Sequence, residues 1–237
     1  MRLHLDVLDR YAALLGTRHP SLALAFARIA DKKNPLIVEL GTSRSYVRGG
    51  NEGCMDDDPK YWDPSRPERW DWGAGIFSRV CAEIIEGTGA SLHSVDPSPQ
   101  AMRISKTITS GIDANVMFQH TTSTEFLQAL DEPIDLLYMD HHETCEEGAL
   151  LHRIDSQLIV EKELLTRDGT ILIDDVHVHG PAREGATRLL RALVGRGGLH
   201  FGKGKYSIPY LREHGFEILY EGYQVVLGPR QHDAAPH

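Results

Sequence analysis

Two stretches of this sequence run from apolar residues straight into acid. One is Asp135-Leu-Leu-Tyr-Met-Asp140-His141-His142-Glu143, and the other is Gly169-Thr-Ile-Leu-Ile-Asp174-Asp175-Val176-His177. If both runs are neighbouring strands, Asp140, Asp174 and Asp175 converge at one edge of a sheet. Like charges raise one another's pKa, so three carboxylates need a partner. A hard divalent cation with oxygen ligands answers that need, and Mg²⁺ suits it best. The alternative is that one or two of these acids cap the helices that follow. A third run, Val38-Glu39-Leu40-Gly41-Thr42-Ser43-Arg44-Ser45, ends in a glycine turn. Such a turn lets a backbone approach a cofactor at the carboxyl edge of a parallel sheet, or is a simple strand exit. Ser43 and Ser45 stand where a dinucleotide fingerprint has glycines, which makes a NAD enzyme a poor reading. In His93-Ser94-Val95-Asp96-Pro97 an acid at a strand end could accept from both ribose hydroxyls, or cap a turn.

The elements that must position these residues alternate. Apolar spacing predicts helix within residues 1–31, with Ser21 as a cap, then a strand at Pro35–Gly41. Helix follows at Phe77–Glu86, Gln100–Thr107, Ser123–Leu130 (Ser123 as cap) and Leu158–Thr166. Strands fall at Ser91–Val95, Ala114–Gln119, Ile134–Met139 and Gly169–Ile173. Phe216–Tyr220 and Tyr223–Leu227 read as an antiparallel hairpin about Glu221-Gly222. The fold class is therefore α/β, a mostly parallel sheet with helices on both faces and a C-terminal antiparallel hairpin. Gly41 and Asp96 are 55 residues apart, against about 20 in the usual dinucleotide unit. The excess lies in Tyr46–Gly75, which holds Trp62, Trp70 and Trp72 and reads as an inserted loop, either a lid or one pinned to the body.

Composition narrows the function. The chain has 237 residues with a formal charge of −9, and no Lys/Arg-rich block marks a nucleic-acid binder. No apolar run is long enough to span a membrane, and the N-terminus lacks an apolar signal region. Cys54, Cys81 and Cys145 form no CxxC, which argues against a disulfide framework or structural zinc. The expectation is one cytoplasmic domain over 1–237, with a homodimer as the default oligomer.

The ordered set Glu39-Leu-Gly41, Asp96, Tyr-Met-Asp140-His141 and Ile-Asp174-Asp175 resembles class I S-adenosylmethionine-dependent methyltransferases over roughly Pro35–Leu227. Within that class it resembles the metal-dependent O-methyltransferases of catechol and sugar or macrolide type, whose fold is Rossmann-like. The resemblance implies S-adenosylmethionine held by Glu39, Gly41, Ser43, Ser45, Asp96, Ser123 and His141. It also implies Mg²⁺ on Asp140, Asp174 and Asp175, and a small hydroxylated acceptor. Catechol-type enzymes place a Lys base where Glu143 stands, and sugar-type enzymes an acid where His142 stands. His142 suits a base at neutral pH, and Glu143 is the other candidate. The rival on the same fold is a His/Asp metalloenzyme, a hydrolase or oxygenase, that adds His177 and His179 to the cluster. A binding module whose carboxylates only cap helices is a further rival.

Overall fold

The computed structural model describes residues 2–42, 63, 65, 66, 70, 73, 75–176 and 202–230. The strands are β1 (Leu36–Leu40), β2 (Ser91–Val95), β3 (Asn115–Gln119), β4 (Ile134–Met139), β5 (Leu165–Ile173), β6 (Phe216–Glu221) and β7 (Val225–Pro229). They form one sheet in the order β3-β2-β1-β4-β5-β7-β6. All pairings from β3 to β5 are parallel, and β7 pairs antiparallel with both β5 and β6. The helices are α1 (Asp6–Arg10), α2 (Ala12–Leu15), α3 (His19–Ile29), α4 (Ile76–Ile85), α5 (Pro99–Ile108), α6 (Ser123–Ala129), α7 (Glu146–Glu161) and α8 (Gly204–Glu213), with a 3₁₀ turn over Gly16–Arg18.

Strand alternation divides the core. Ile37, Leu92, Leu136, Tyr138, Leu172 and Val226 face one layer with Phe26, Phe77 and Ile104 of α3, α4 and α5. Val38, Leu40, Leu137, Met139, Ile171 and Ile173 face the other, against Leu127, Ile159 and Leu211 of α6, α7 and α8. Both faces are covered, which is why these parallel strands read as unbroken apolar runs. Full burial of each such side chain contributes roughly 1.5–3 kcal/mol. No helix among the described residues is long and apolar enough to cross a membrane.

Four expectations need correction. Ser123 does not cap α6; Thr122 does, in a capping box with Glu125. Ser21 lies inside α3, where its hydroxyl sits between the Arg18 carbonyl and the Gln224 side chain instead of starting the helix. The helix expected at Leu158–Thr166 is α7, which begins twelve residues earlier, and Leu165 and Thr166 belong to β5. Its apolar stripe is broken because its buried face includes His152, Asp155 and Ser156, while Leu150 and Ile154 are exposed. α8 was not expected, because it contains Pro209 and starts at a glycine. Most of Tyr46–Gly75 lies outside the described residues. Trp70 is described, and it is buried, stacked on Tyr11 at 6.3 Å, and donates its indole N–H to the Asp63 carbonyl at 2.6 Å.

Strand order reverses at β1, which lies between β2 and β4, so the carboxyl ends of β1 and β4 border a crevice. Gly41 sits there with φ +85°, and a Cβ on it would come within 2.6 Å of the His141 Cα. Gly41→Ala is therefore expected to destabilise the fold by about 2 kcal/mol or more. A urea unfolding midpoint unchanged from wild type would contradict that packing.

Candidate active site

Register puts the acids in a row. Leu40 pairs with both Val95 and Met139, and Met139 with Ile173, so the next residue on each strand is Gly41, Asp96, Asp140 and Asp174. The backbone carries this order past the strand ends: Asp140 N–H donates to the Leu40 carbonyl at 2.9 Å, and Asp174 N–H to the Met139 carbonyl at 3.1 Å. Asp140, Asp174 and Asp175 each offer a carboxylate oxygen within 4.8 Å of the others. Asp175 adopts φ +51°, a left-handed conformation that Asp tolerates better than most residues. Asp135, at the other end of β4, plays no part in this cluster; Lys32 holds it at 2.7 Å.

Two cations and two phenols compensate the three acids. Arg18 donates through Nε and Nη2 to Asp174 at 3.0 and 2.9 Å, and its guanidinium lies 4.5 Å from the Tyr223 ring centroid. Lys203 Nζ donates to Asp140 Oδ1 at 2.7 Å and lies 3.2 Å from Asp175 Oδ2. The Tyr138 hydroxyl, fully buried, stands 3.0 Å from both Asp140 Oδ2 and Asp174 Oδ2. Tyr223 donates to Asp175 Oδ1 at 2.6 Å. Burial, then the charge of Asp140, pushes the Asp174 carboxyl up to about 7. Burial would raise Asp140 as well, but Lys203 and Arg18 hold it below its ordinary value. Burial works against the Lys203 charge, yet Asp140 and Asp175 keep it firmly protonated.

The cofactor-side residues form a second network. Glu39 is buried, and the hydroxyls of Ser78 and Ser94 donate to its Oε2 at 2.5 and 2.6 Å. Burial pushes its carboxyl up to about 8 despite those bonds. Asp96 accepts from Thr42 N–H at 3.1 Å and Ser98 N–H at 2.8 Å, which ties the β1 turn to the start of α5. Each of its oxygens keeps a further lone pair, as a ribose contact would need. His141 is buried, with Nε2 at 2.8 Å from Asp155 Oδ2 and its ring stacked 4.1 Å from His152. Its Nδ1 has no hydrogen-bond partner among the described residues, an orphan that a ligand could satisfy. Ser123 is buried at the start of α6, and its hydroxyl helps, with His141 and Thr124, to hold Asp155 low against burial.

His142 is exposed with φ +60°; partial desolvation, then the neighbouring His141, lowers its pKa, which leaves the imidazole neutral at pH 7. Glu143 is also exposed, and its carbonyl packs so close to Gly148 that a Cβ there would meet it at 2.2 Å. Ser43, Ser45, His177 and His179 lie outside the described residues. Among the described residues the metal-competent cluster contains no histidine. Sequence reading missed Arg18, Lys203, Tyr138 and Tyr223. Tyr138 had a signal, since it lies two residues before Asp140 on the same strand face. Lys203, between Gly202 and Gly204, had a faint one, and Arg18 had none.

Residues 72–176 match a family model described as a methyltransferase domain, Methyltransf_24. That stretch is under half of the chain and carries β2 to β5 with Asp96, Asp140, Asp174 and Asp175. No curated protein matches. Among solved structures, a Corynebacterium glutamicum protein is 12% identical, with a TM-score of 0.50, covering 97% of this chain and 91% of its own. The SAH-bound Podospora anserina methyltransferase PaMTH1 is 14% identical, with a TM-score of 0.49 and coverage of 95% and 88%. Aeropyrum pernix fibrillarin with S-adenosyl-L-methionine is 16% identical, with a TM-score of 0.49 and coverage of 87% and 74%. The likeness to the Corynebacterium glutamicum protein speaks to fold alone. The family model thus likens the stretch from α4 to β5 to a methyltransferase domain, and the sheet order is that of a Rossmann-like fold closed by an antiparallel pair.

Glu39 yields a pH prediction for the cofactor-free protein. Its folded pKa of about 8 exceeds the ordinary 4.5. Its contribution to stability is therefore full below pH 4.5 and is lost as pH rises toward 8. Gln mimics the protonated acid, so Glu39→Gln should flatten the fall of Tm across that window, at up to about 1.4 kcal/mol per pH unit. Parallel Tm–pH curves for the two proteins would show that Glu39 is ionised in the folded state.

Proposed function

We propose that the chain is a methyltransferase that acts on a hydroxyl of a small molecule, a sugar, phenol or natural-product intermediate, with Mg²⁺ at Asp140, Asp174 and Asp175. The observation that carries the reading is the convergence of three carboxylate oxygens within 4.8 Å at the carboxyl ends of β4 and β5. They lie in the same row as the Gly41 turn. The donor set is all oxygen and fits a hard cation, and the Lys203 ammonium already seated on two of the three acids marks the place as one for positive charge. A divalent cation held there would lower the pKa of a bound hydroxyl. S-adenosylmethionine supplies an electrophilic methyl group on its sulfonium.

The chain's residues bind and orient. Asp96 would take the ribose hydroxyls, Glu39 and Gly41 the methionine side, and Ser123 and His141 the adenine. His142 would accept the proton as the methyl passes from sulfur to oxygen, leaving the methyl ether and S-adenosylhomocysteine. Holding acceptor and donor in line is the main source of rate. The His/Asp metalloenzyme gains no support, because His141 is engaged by Asp155 and no described histidine joins the acids. A net charge of −9 favours a small acceptor over nucleic acid.

Calorimetric titration with S-adenosylmethionine is expected to show micromolar binding in wild type and at least a tenfold loss in Asp96→Ala. Methyl transfer to a hydroxylated acceptor library is expected to fall at least 100-fold with EDTA and return with Mg²⁺. Transfer unaffected by chelation would overturn the metal reading, and transfer to nitrogen or carbon alone the O-methylation reading.

A further inference from the structure

Lys203 meets the carboxylates in the manner of a bound ion. Its side chain is 4% exposed, and Nζ contacts the Asp140 carbonyl oxygen at 3.0 Å, Asp140 Oδ1 at 2.7 Å and Asp175 Oδ2 at 3.2 Å. An ammonium has three N–H donors; two of them go to Asp140 oxygens, and the charge pairs with Asp175 beside them. We propose that Lys203 is a built-in competitor for the divalent cation: its ammonium and the metal use the same oxygens of Asp140 and Asp175, so that metal entry expels the Lys203 side chain. The proposal rests on the divalent-cation reading given above.

Charge makes the two occupants exclusive. A divalent cation would hold all three carboxylates ionised, and that set with Arg18 and Lys203 carries a formal −1. A divalent ion added beside both cations would turn a desolvated place to +1, with like charges a few ångströms apart. With Lys203 gone, the same set with metal and Arg18 is neutral, the least costly state in a low-dielectric setting. Geometry selects which cation leaves. Arg18 grips Asp174 through two nitrogens and lies over Tyr223, whose hydroxyl is 3.3 Å from its Nη2. Planar, two-point contacts of that kind are hard to trade. Lys203 is a point charge on a flexible stem, set between Gly202 and Gly204.

Mn²⁺ binding to the full chain, followed by electron paramagnetic resonance, tests this on wild type and Lys203→Met, with S-adenosylmethionine affinity measured on the same samples. Lys203→Met is expected to bind Mn²⁺ at least tenfold tighter than wild type. Binding by wild type with no gain in the variant would overturn the competition while leaving the metal site intact. No binding by either protein would remove the divalent site and this proposal with it; retained S-adenosylmethionine binding would leave the methyltransferase assignment standing. Should the variant fail to fold, acetylation of wild-type Lys203, read by mass spectrometry, gives the second measure. Saturating Mn²⁺ is expected to raise its labelling several-fold, and unchanged labelling under demonstrated Mn²⁺ binding would overturn the proposal.

Discussion

Three carboxylates can share a desolvated place only if positive charge is brought to them, and this constraint organises the carboxyl edge of the sheet. Asp174 is fully buried, and an uncompensated charge there would cost several kcal/mol. Arg18 and the Tyr138 hydroxyl reach Asp174 directly, and Lys203 pairs with Asp140 and Asp175 beside it. The consequences reach outward. Tyr138 is fixed by stacking on Phe77 of α4 at 4.2 Å, and Gln224 reaches its hydroxyl from the segment leading into β7. The 3₁₀ turn before α3 has to end where Arg18 can reach Asp174.

The cofactor side answers a different problem. Among the described residues Glu39 has no ion-pair partner; hydroxyls of Ser78 and Ser94 solvate its carboxylate instead. A carboxyl in such surroundings favours its neutral form. One edge of the same sheet thus holds Asp140, kept charged by cations, beside Glu39, drawn toward neutrality, a few residues apart across adjacent strands. Separation of pKa values by environment is how one site holds groups with unlike duties.

Much of the fold could be read from the chain because buried parallel strands announce themselves as apolar runs that stop at Gly or Asp. Leu36–Leu40, Ile134–Met139 and the run into Asp174-Asp175 are of that kind, and with their adjacency the acidic cluster followed. Reading failed where burial and polarity part company. α7 packs His152, Asp155 and Ser156 inward, so the 3.6-residue stripe that marks a helix is absent over its first three turns. α8 begins at glycine and contains proline. Arg18 and Lys203 were invisible for another reason. A single cation on a surface-like segment carries no periodic signal, and only the fold shows that it points inward.

Arg18 stands 156 residues before Asp174 and 205 before Tyr223, and Ser21 stands 203 before Gln224. These ties join an early segment to strands that follow it by more than 150 residues. A ribosome releases α3 and the turn before it long before β5 and β7 exist, so Arg18 must wait for its partners while 156 to 205 further residues are added. Helices that form early and dock late leave the apolar face of α3, with Leu22, Phe26 and Ile29, uncovered in the interval. Closing contacts of this sequence separation is slow, and a nascent chain in that state is a natural client for chaperones.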